Sequence, residues 1–293
     1  MKNKRGKPPF YQDISKLKMI IYFRIHGIFQ ATKMVEELNG KKMVMRFCEL
    51  QKIPSHDVIS DFLGRVEPVI EKIFENVVYQ AIFLGIIKGK RLAIDPTSIE
   101  TKYKSDKDAK WNKDITRNKW YFGYGGNVVF DPESHLPVTG MLTKGKKAET
   151  GEPEELMEKT KPLMNLLGTD VFLGDGEFDM IKLQKDLISQ HILPIIPYNP
   201  RNTKIPLPIT FRIEQWTNIP TIEWLEDEHK YRAEAEHAWS TLKEYFGLEK
   251  IYCRGWKKIK SHFFLCLITR VMYAITVFKN CPGVSVRKIS VGF

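Results

Sequence analysis

The segment TDVFLGDGEFDM, residues 169–180, joins a short apolar run to an acid. Val171, Phe172 and Leu173 predict a short buried strand. Gly174 follows, and Asp175 stands where the run ends, with Gly176 beyond it. A rigid strand that delivers a carboxylate between glycines needs a reason. RLAID, residues 91–95, repeats the form: Leu92, Ala93 and Ile94 lead to Asp95. Ligands in open α/β sheets bind beyond the carboxyl ends of the strands. If the two strands are neighbours, both acids meet at one sheet edge. Two anions that close repel unless a cation sits between them. Oxygen ligands of this kind suit Mg²⁺ or Mn²⁺. Taken singly, each also reads as a loop-edge aspartate capping a turn.

The surrounding pattern is α/β. Residues 13–85 read as helical, with Ser55 as N-cap of a helix running toward Phe62 and Leu63. This predicts a small all-α N-terminal domain over residues 1–90. From residue 91 the texture changes. Residues 119–145 read as a hairpin around the turn signal DPESH. A helix follows over 151–168, then the strand of TDVFLGD, a helix over 178–192 and a strand in LPIIPYN. Residues 200–228 show no clear pattern. A further helix spans 231–247 and closes at Gly247. The order suits a mixed sheet with helices packed on its faces.

The helix at 231–247 supplies a third acid. At about 100° per residue, Arg232, Glu236 and Lys243 share a stripe about 40° wide beside the apolar arc. Glu236 therefore reaches toward the sheet edge, whereas Glu234 points elsewhere. An Arg–Glu pair at this spacing is also ordinary surface support, but that leaves Lys243 in the same stripe unexplained.

Charge points to a polyanion partner. The chain of 293 residues carries a net +11, with a pI near 9.3. Residues 1–90 hold 16 Lys+Arg against 9 Asp+Glu, and residues 91–293 hold 30 against 26. The first ten residues, MKNKRGKPPF, carry four cations and no anion, a basic arm able to lie along phosphates. Lys144, Lys146 and Lys147 are further candidates to track a nucleic-acid backbone. Trp111, Trp120, Tyr121 and Tyr124 either fill the core or stack on a distorted base, core being favoured. The cysteines Cys48, Cys253, Cys266 and Cys281 have no zinc-ligand spacing. No apolar segment follows the basic N-terminus as in a secretory leader. The most apolar segment, residues 263–278, is interrupted by Arg270 and reads as a core helix, so no membrane span is expected.

The array Asp95 … Asp175-Gly-Glu-Phe178 … Arg232-x3-Glu236-x6-Lys243 resembles the DDE transposases of bacterial and archaeal insertion sequences. It is most similar to the insertion-sequence four and five groups, which carry a Y-x2-R-x3-E-x6-K signature. AIDPTSIE (93–100), YFGYGGNVVFDPESHLPVTG (121–140), LGDGEFD (173–179) and LPIIPYNPRN (193–202) resemble its acid blocks, hairpin and following strand. This chain departs from the signature at His229, where Tyr is usual. It also has Gly125 and Asn127 where a basic residue and a histidine are common.

The resemblance implies a ribonuclease-H-like catalytic domain over residues 91–280, followed by a tail at 281–293. The N-terminal domain would bind DNA and dimerise. Asp95, Asp175 and Glu236 would be the catalytic acids, holding two Mg²⁺ ions, or Mn²⁺, with Asp175 shared. Arg232 and Lys243 would contact DNA phosphate. The expected partners are double-stranded DNA (terminal inverted repeats and target) and a second copy of the chain. The expected location is the cytoplasm, with the nucleoid. Two other readings stand beside it: a ribonuclease-H-like nuclease or resolvase without strand transfer, and a domesticated DNA-binding protein on a transposase fold.

Overall fold

Strand β1 (Arg91–Glu100) runs through the middle of a six-stranded mixed sheet. The computed structural model describes residues 11–114, 118–144, 152–199 and 223–289. Strands β2 (Lys110–Asp114), β3 (Lys119–Asp131) and β4 (Leu136–Thr143) form an antiparallel group on one side of β1. One edge of β3 pairs with β1; its other edge takes β2 along the first part and β4 along the second. On the far side, β5 (Val171–Leu173) pairs parallel with β1, and β6 (Leu193–Ile195) pairs parallel with β5. An antiparallel hairpin on one side of the first strand and two parallel strands on the other make the ribonuclease-H-like mixed sheet. Phe172 and Leu173 are fully buried, as their unbroken apolar run requires.

Helices flank the sheet. The N-terminal region holds α1 (Asp13–Ile25), α2 (Ala31–Leu38), α3 (Lys42–Phe47) and α4 (His56–Phe83). Ser55 caps α4, its Oγ accepting from Val58 N at 3.4 Å. Then come α5 (Glu152–Leu167), α6 (Ile181–Ser189), α7 (Glu223–Lys230), α8 (Ala233–Glu244) and α9 (Trp256–Asn280). Ile59, Phe62, Val66, Ile70, Phe74 and Val78 recur at three- and four-residue steps along the buried face of α4. Helix α4 packs on α9, and α9 lies over β4. Gly140 permits that approach, because a Cβ there would sit 2.9 Å from Leu267 Cδ1. Of the most apolar stretch of α9, 78% is buried, as expected of a core helix.

Two acids from the segment between β1 and β2 fix the start of α9. Asp106 Oδ2 accepts from Gly255 N and Asp108 Oδ2 from Trp256 N, each at 2.9 Å. The carboxylates satisfy open helix donors and complement the helix dipole. Tyr124 OH also donates to Asp106, at 2.9 Å.

The N-terminal helices and the sheet share one hydrophobic core. Arg24 of α1 is 2% exposed and reaches into the C-terminal half of the chain. Its Nη1 donates to Phe246 O at 3.2 Å, and its Nη2 lies 2.9 Å from His262 Nδ1. The segment after α9 is tied down as well: Arg287 Nη2 donates to Pro132 O at 3.1 Å in the β3–β4 turn.

Gly123 sits where β3 pairs with both β1 and β2. A Cβ there would lie 2.1 Å from the Ile99 carbonyl oxygen. Gly123→Ala should therefore break that stretch of pairing and cost about 2–3 kcal/mol, the upper part of the range for overpacking. Chemical denaturation against wild type measures it; a change below about 0.5 kcal/mol would mean that the strands separate there without cost.

Candidate active site

Asp95 lies within β1 and is buried at 7% exposure. Asp175 stands just beyond β5 and opens the 3-10 turn Gly176–Phe178. The parallel register pairs Ala93 with Leu173. Each aspartate follows two residues after that pair, so the parallel strands carry both acids toward the same end of the sheet. The Asp175 carboxylate also caps its turn, Oδ1 accepting from Glu177 N at 2.8 Å. Strand and cap together fix the acid. Asp179, in the same motif, serves differently: it accepts from Gln184 Nε2 at 2.8 Å and Asn199 N at 2.9 Å.

The third acid arrives on α8. The helix expected over 231–247 is divided: α7 ends at Lys230, and α8 begins at Ala233. Arg232, at the junction, keeps a helical backbone (φ −60°, ψ −35°), so its phase with Glu236 survives. Arg232 Nη1 donates to Asp95 Oδ1 at 3.0 Å, and Nη2 donates to Glu236 Oε1 at 2.9 Å. One guanidinium bridges the acid on β1 and the acid on α8. Asp95 is nearly covered, whereas the Glu236 side chain is 61% exposed.

The junction is held from the sheet. Arg91, at the start of β1, donates from Nη2 to Glu228 Oε1 at 2.7 Å, and its guanidinium lies 4.7 Å from the Tyr231 ring centre. The hydrogen bond to Glu228 raises the Arg91 pKa, so the fork stays charged. Burial, and then the Arg232 charge, lower the His229 pKa, opposed by a backbone hydrogen bond at Gly174. His229 thus rests beside the residue that precedes Asp175. Sequence reasoning missed this support. Glu228 lay in the stretch without a readable pattern, and the one available signal was the cation at the head of RLAID.

The remaining predicted residues are dispersed. Lys243 pairs with Glu249 at 3.2 Å instead of with the acids. Lys144 is exposed, its Nζ 5.7 Å from the Trp256 ring centre. Lys146 and Lys147 lie outside the described residues. Glu234 is engaged by His135 and by Arg287. Tyr121 and Tyr124 are buried, whereas Trp111 and Trp120 face solvent. Asn127 is buried on β3 opposite Pro96, one residue from the partner of Asp95.

Among the described residues, no three His, Cys, Asp or Glu side chains converge as a metal-binding group. The donor set nevertheless fits a hard divalent cation in kind, being all carboxylate. The Arg232 bridge marks where these carboxylates call for positive charge.

The chain matches two described families. The Transposase DDE domain covers residues 87–272, and the Transposase domain (DUF772) covers residues 1–65. It is 28% identical over 266 residues to the probable transposase for insertion sequence element ISH11 in two strains of Halobacterium salinarum. That alignment spans 88% of this chain and 77% of the relative. Among solved structures, the piggyBac transposase synaptic complex with hairpin DNA aligns at 12% identity and a TM-score of 0.48, covering 98% of this chain and 72% of that one. The Mos1 transposase paired-end complex with left transposon end aligns at 12% and 0.24, covering 84% and 83%. At these scores the superpositions carry no weight beside the strand order itself. The family match does: it takes in well over half of the chain, with both strands that deliver the aspartates and the helix that carries Glu236, so this chain belongs to the DDE transposases.

Proposed function

We propose that the chain cuts the ends of an insertion sequence and joins them to target DNA by phosphoryl transfer at Asp95, Asp175 and Glu236. The observation that carries this reading is the Arg232 bridge, which ties the acid of β1 to the acid of α8, β1 being the neighbour of the strand that leads to Asp175. Asp95, Asp175 and Glu236 would hold two Mg²⁺ ions, or Mn²⁺. Bound there, the ions would supply an activated water, later a 3′-hydroxyl, and charge neutralisation at the leaving oxygen.

The chain's own residues supply position. The sheet and the turn cap hold Asp175 still. Arg91 fixes the α7–α8 junction and so the reach of Glu236. The planar fork of Arg232 suits a phosphate as well as a carboxylate, and a bound strand would take it as a contact beside the acids. Lys243, Lys144, Lys146 and Lys147 are proposed as backbone contacts. Residues 1–90, with 16 cations against 9 anions, are proposed to bind the terminal repeats and to pair two copies, since two ends must be cut together. Double-stranded DNA is the substrate, which puts the working protein with the nucleoid in the cytoplasm.

The test uses the gene with its native flanking DNA. The fragment is incubated with purified protein and Mg²⁺ or Mn²⁺, and new 3′-hydroxyl ends are mapped. The expected result is cuts at matched inverted repeats that vanish with a chelator. Cuts scattered without regard to repeats would move the reading to a nuclease. Tight binding without cuts, with metal present, would move it to a domesticated DNA-binding protein.

A further inference from the structure

The β2–β3 hairpin presents two tryptophans to solvent, Trp111 at 59% exposure and Trp120 at 61%. The register pairs Trp111 with Phe122 and Lys113 with Trp120. Side chains alternate along a strand, so these four share one face of the hairpin. Phe122 is buried behind Trp111, their ring centres 5.5 Å apart. Lys104 leans on the same group, its Nζ 4.5 Å from the Trp111 ring centre and 5.1 Å from that of Phe122. The result is an aromatic platform with a cation at its margin.

The charge of this segment is unusual. Residues 101–120 hold seven Lys+Arg against three Asp+Glu, a net of +4. Residues 91–293 as a whole are also +4, from 30 against 26. Outside the segment the count is therefore 23 against 23, which is neutral. Two of its three acids, Asp106 and Asp108, are turned inward on the start of α9. What faces outward is basic and aromatic together.

We propose that the Trp111–Trp120 face of the β2–β3 hairpin binds unpaired DNA bases by stacking. The faces of bases inside a duplex are covered by their neighbours, so only unpaired or end bases offer a ring to stack on. A polyanion fits the net charge beside Lys104 and Lys113, and the exposed rings suit the flat faces of nucleic-acid bases. The position suits DNA held at the acids. Trp120 lies eight residues along β3 from Val128, the partner of Asp95. That is about 26 Å of strand, or roughly eight nucleotides of duplex rise. A frayed or displaced strand leaving the site reaches the hairpin at that range.

The experiment measures binding by full-length protein in chelator, so it stands or falls independently of cleavage. Affinity is compared for a blunt duplex and for the same duplex with an unpaired oligo(dT) tail. Wild type should prefer the tailed DNA, and oligo(dT) should quench tryptophan fluorescence. Trp111→Ala and Trp120→Ala should each weaken tail binding about tenfold and leave blunt-duplex binding unchanged. Trp111→Tyr and Trp120→Tyr should retain most of the preference, since tyrosine also stacks. Both tryptophans are exposed, so the variants should melt as wild type does. No preference for the tail in wild type overturns the proposal. So does a preference unchanged in the double alanine variant, or an equal loss on both DNAs. A double variant that changes only its oligomeric state would reassign the platform to a second copy of the chain.

Discussion

Asp95→Asn, Asp175→Asn and Glu236→Gln are each expected to abolish strand cleavage and joining while DNA binding persists. The loss should exceed the roughly 10–100-fold typical of residues that merely support a metal ligand. Each change removes one negative charge and one strong oxygen donor but preserves shape. The amide oxygen in Asp95→Asn would still accept from Arg232, and Glu236 is 61% exposed, so both variants should keep the fold, the buried Asp95→Asn at a greater cost in stability than Glu236→Gln. The amide oxygen in Asp175→Asn can still accept from Glu177 N and cap its turn. Pairs of these changes should be no worse than single ones, because groups that act as a unit do not contribute additively. Arg232→Ala should differ: partial activity, weaker DNA binding and a smaller dependence on salt. Wild-type cleavage by any one of the three acid variants would remove that residue from the site.

Acid should unfold the protein through His262, and Arg24→Ala should destabilise it at every pH. His262 is fully buried, and burial first, then the Arg24 charge, push its pKa from 6.5 down to about 3. Below pH 6.5 the unfolded chain takes up a proton that the folded chain refuses. Stability is therefore complete above pH 6.5 and is lost as pH falls toward about 3, at up to about 1.4 kcal/mol per pH unit. Removing Arg24 leaves Phe246 O and His262 Nδ1 without their donor and opens a cavity in the core. The expected cost is about 3–5 kcal/mol. For a chain of this size that lowers Tm by roughly 10 °C. The acid-sensitive window should also narrow, its lower limit rising in pH, since a cation that opposed His262 protonation is gone. Thermal melts from pH 8 to 4 read both effects; an Arg24→Ala variant that melts like wild type would show that α1 is not anchored there.

The two buried strands that carry Asp95 and lead to Asp175 were legible from their apolar runs, although β1 does not end at Asp95 but continues to Glu100. That the two strands are neighbours was only a condition of the sequence reading; their parallel pairing comes from the structure. The helical phase of Arg232 and Glu236 also carried over, although the helix restarts between Lys230 and Ala233. Other parts were hidden for physical reasons. Strand β1 runs on past Pro96, a residue that argues against a central strand. Strand β2, KWNKD, has too few β-formers to announce itself, and its partner β3 supplies the pairing. Lys243 kept its phase but found Glu249, a partner in the following loop that helix geometry does not reveal. The tryptophans looked like core by residue type, yet Trp111 and Trp120 stand on a hairpin face open to solvent.

The interlocking of the first and last helices sets a timetable for synthesis. Helix α4 ends at Phe83, and the helix it packs against begins at Trp256. At about 5–20 residues per second, a ribosome needs roughly 9–35 s to cover that interval. Throughout it, the apolar ladder from Ile59 to Val78 lacks α9, the helix it packs against most extensively, and Arg24 has no acceptor in the C-terminal half. The nascent chain therefore meets its longest exposure to chaperones and proteases before it is finished. Slow translation or early termination within α9 should send this protein to degradation or aggregation instead of leaving a folded N-terminal fragment.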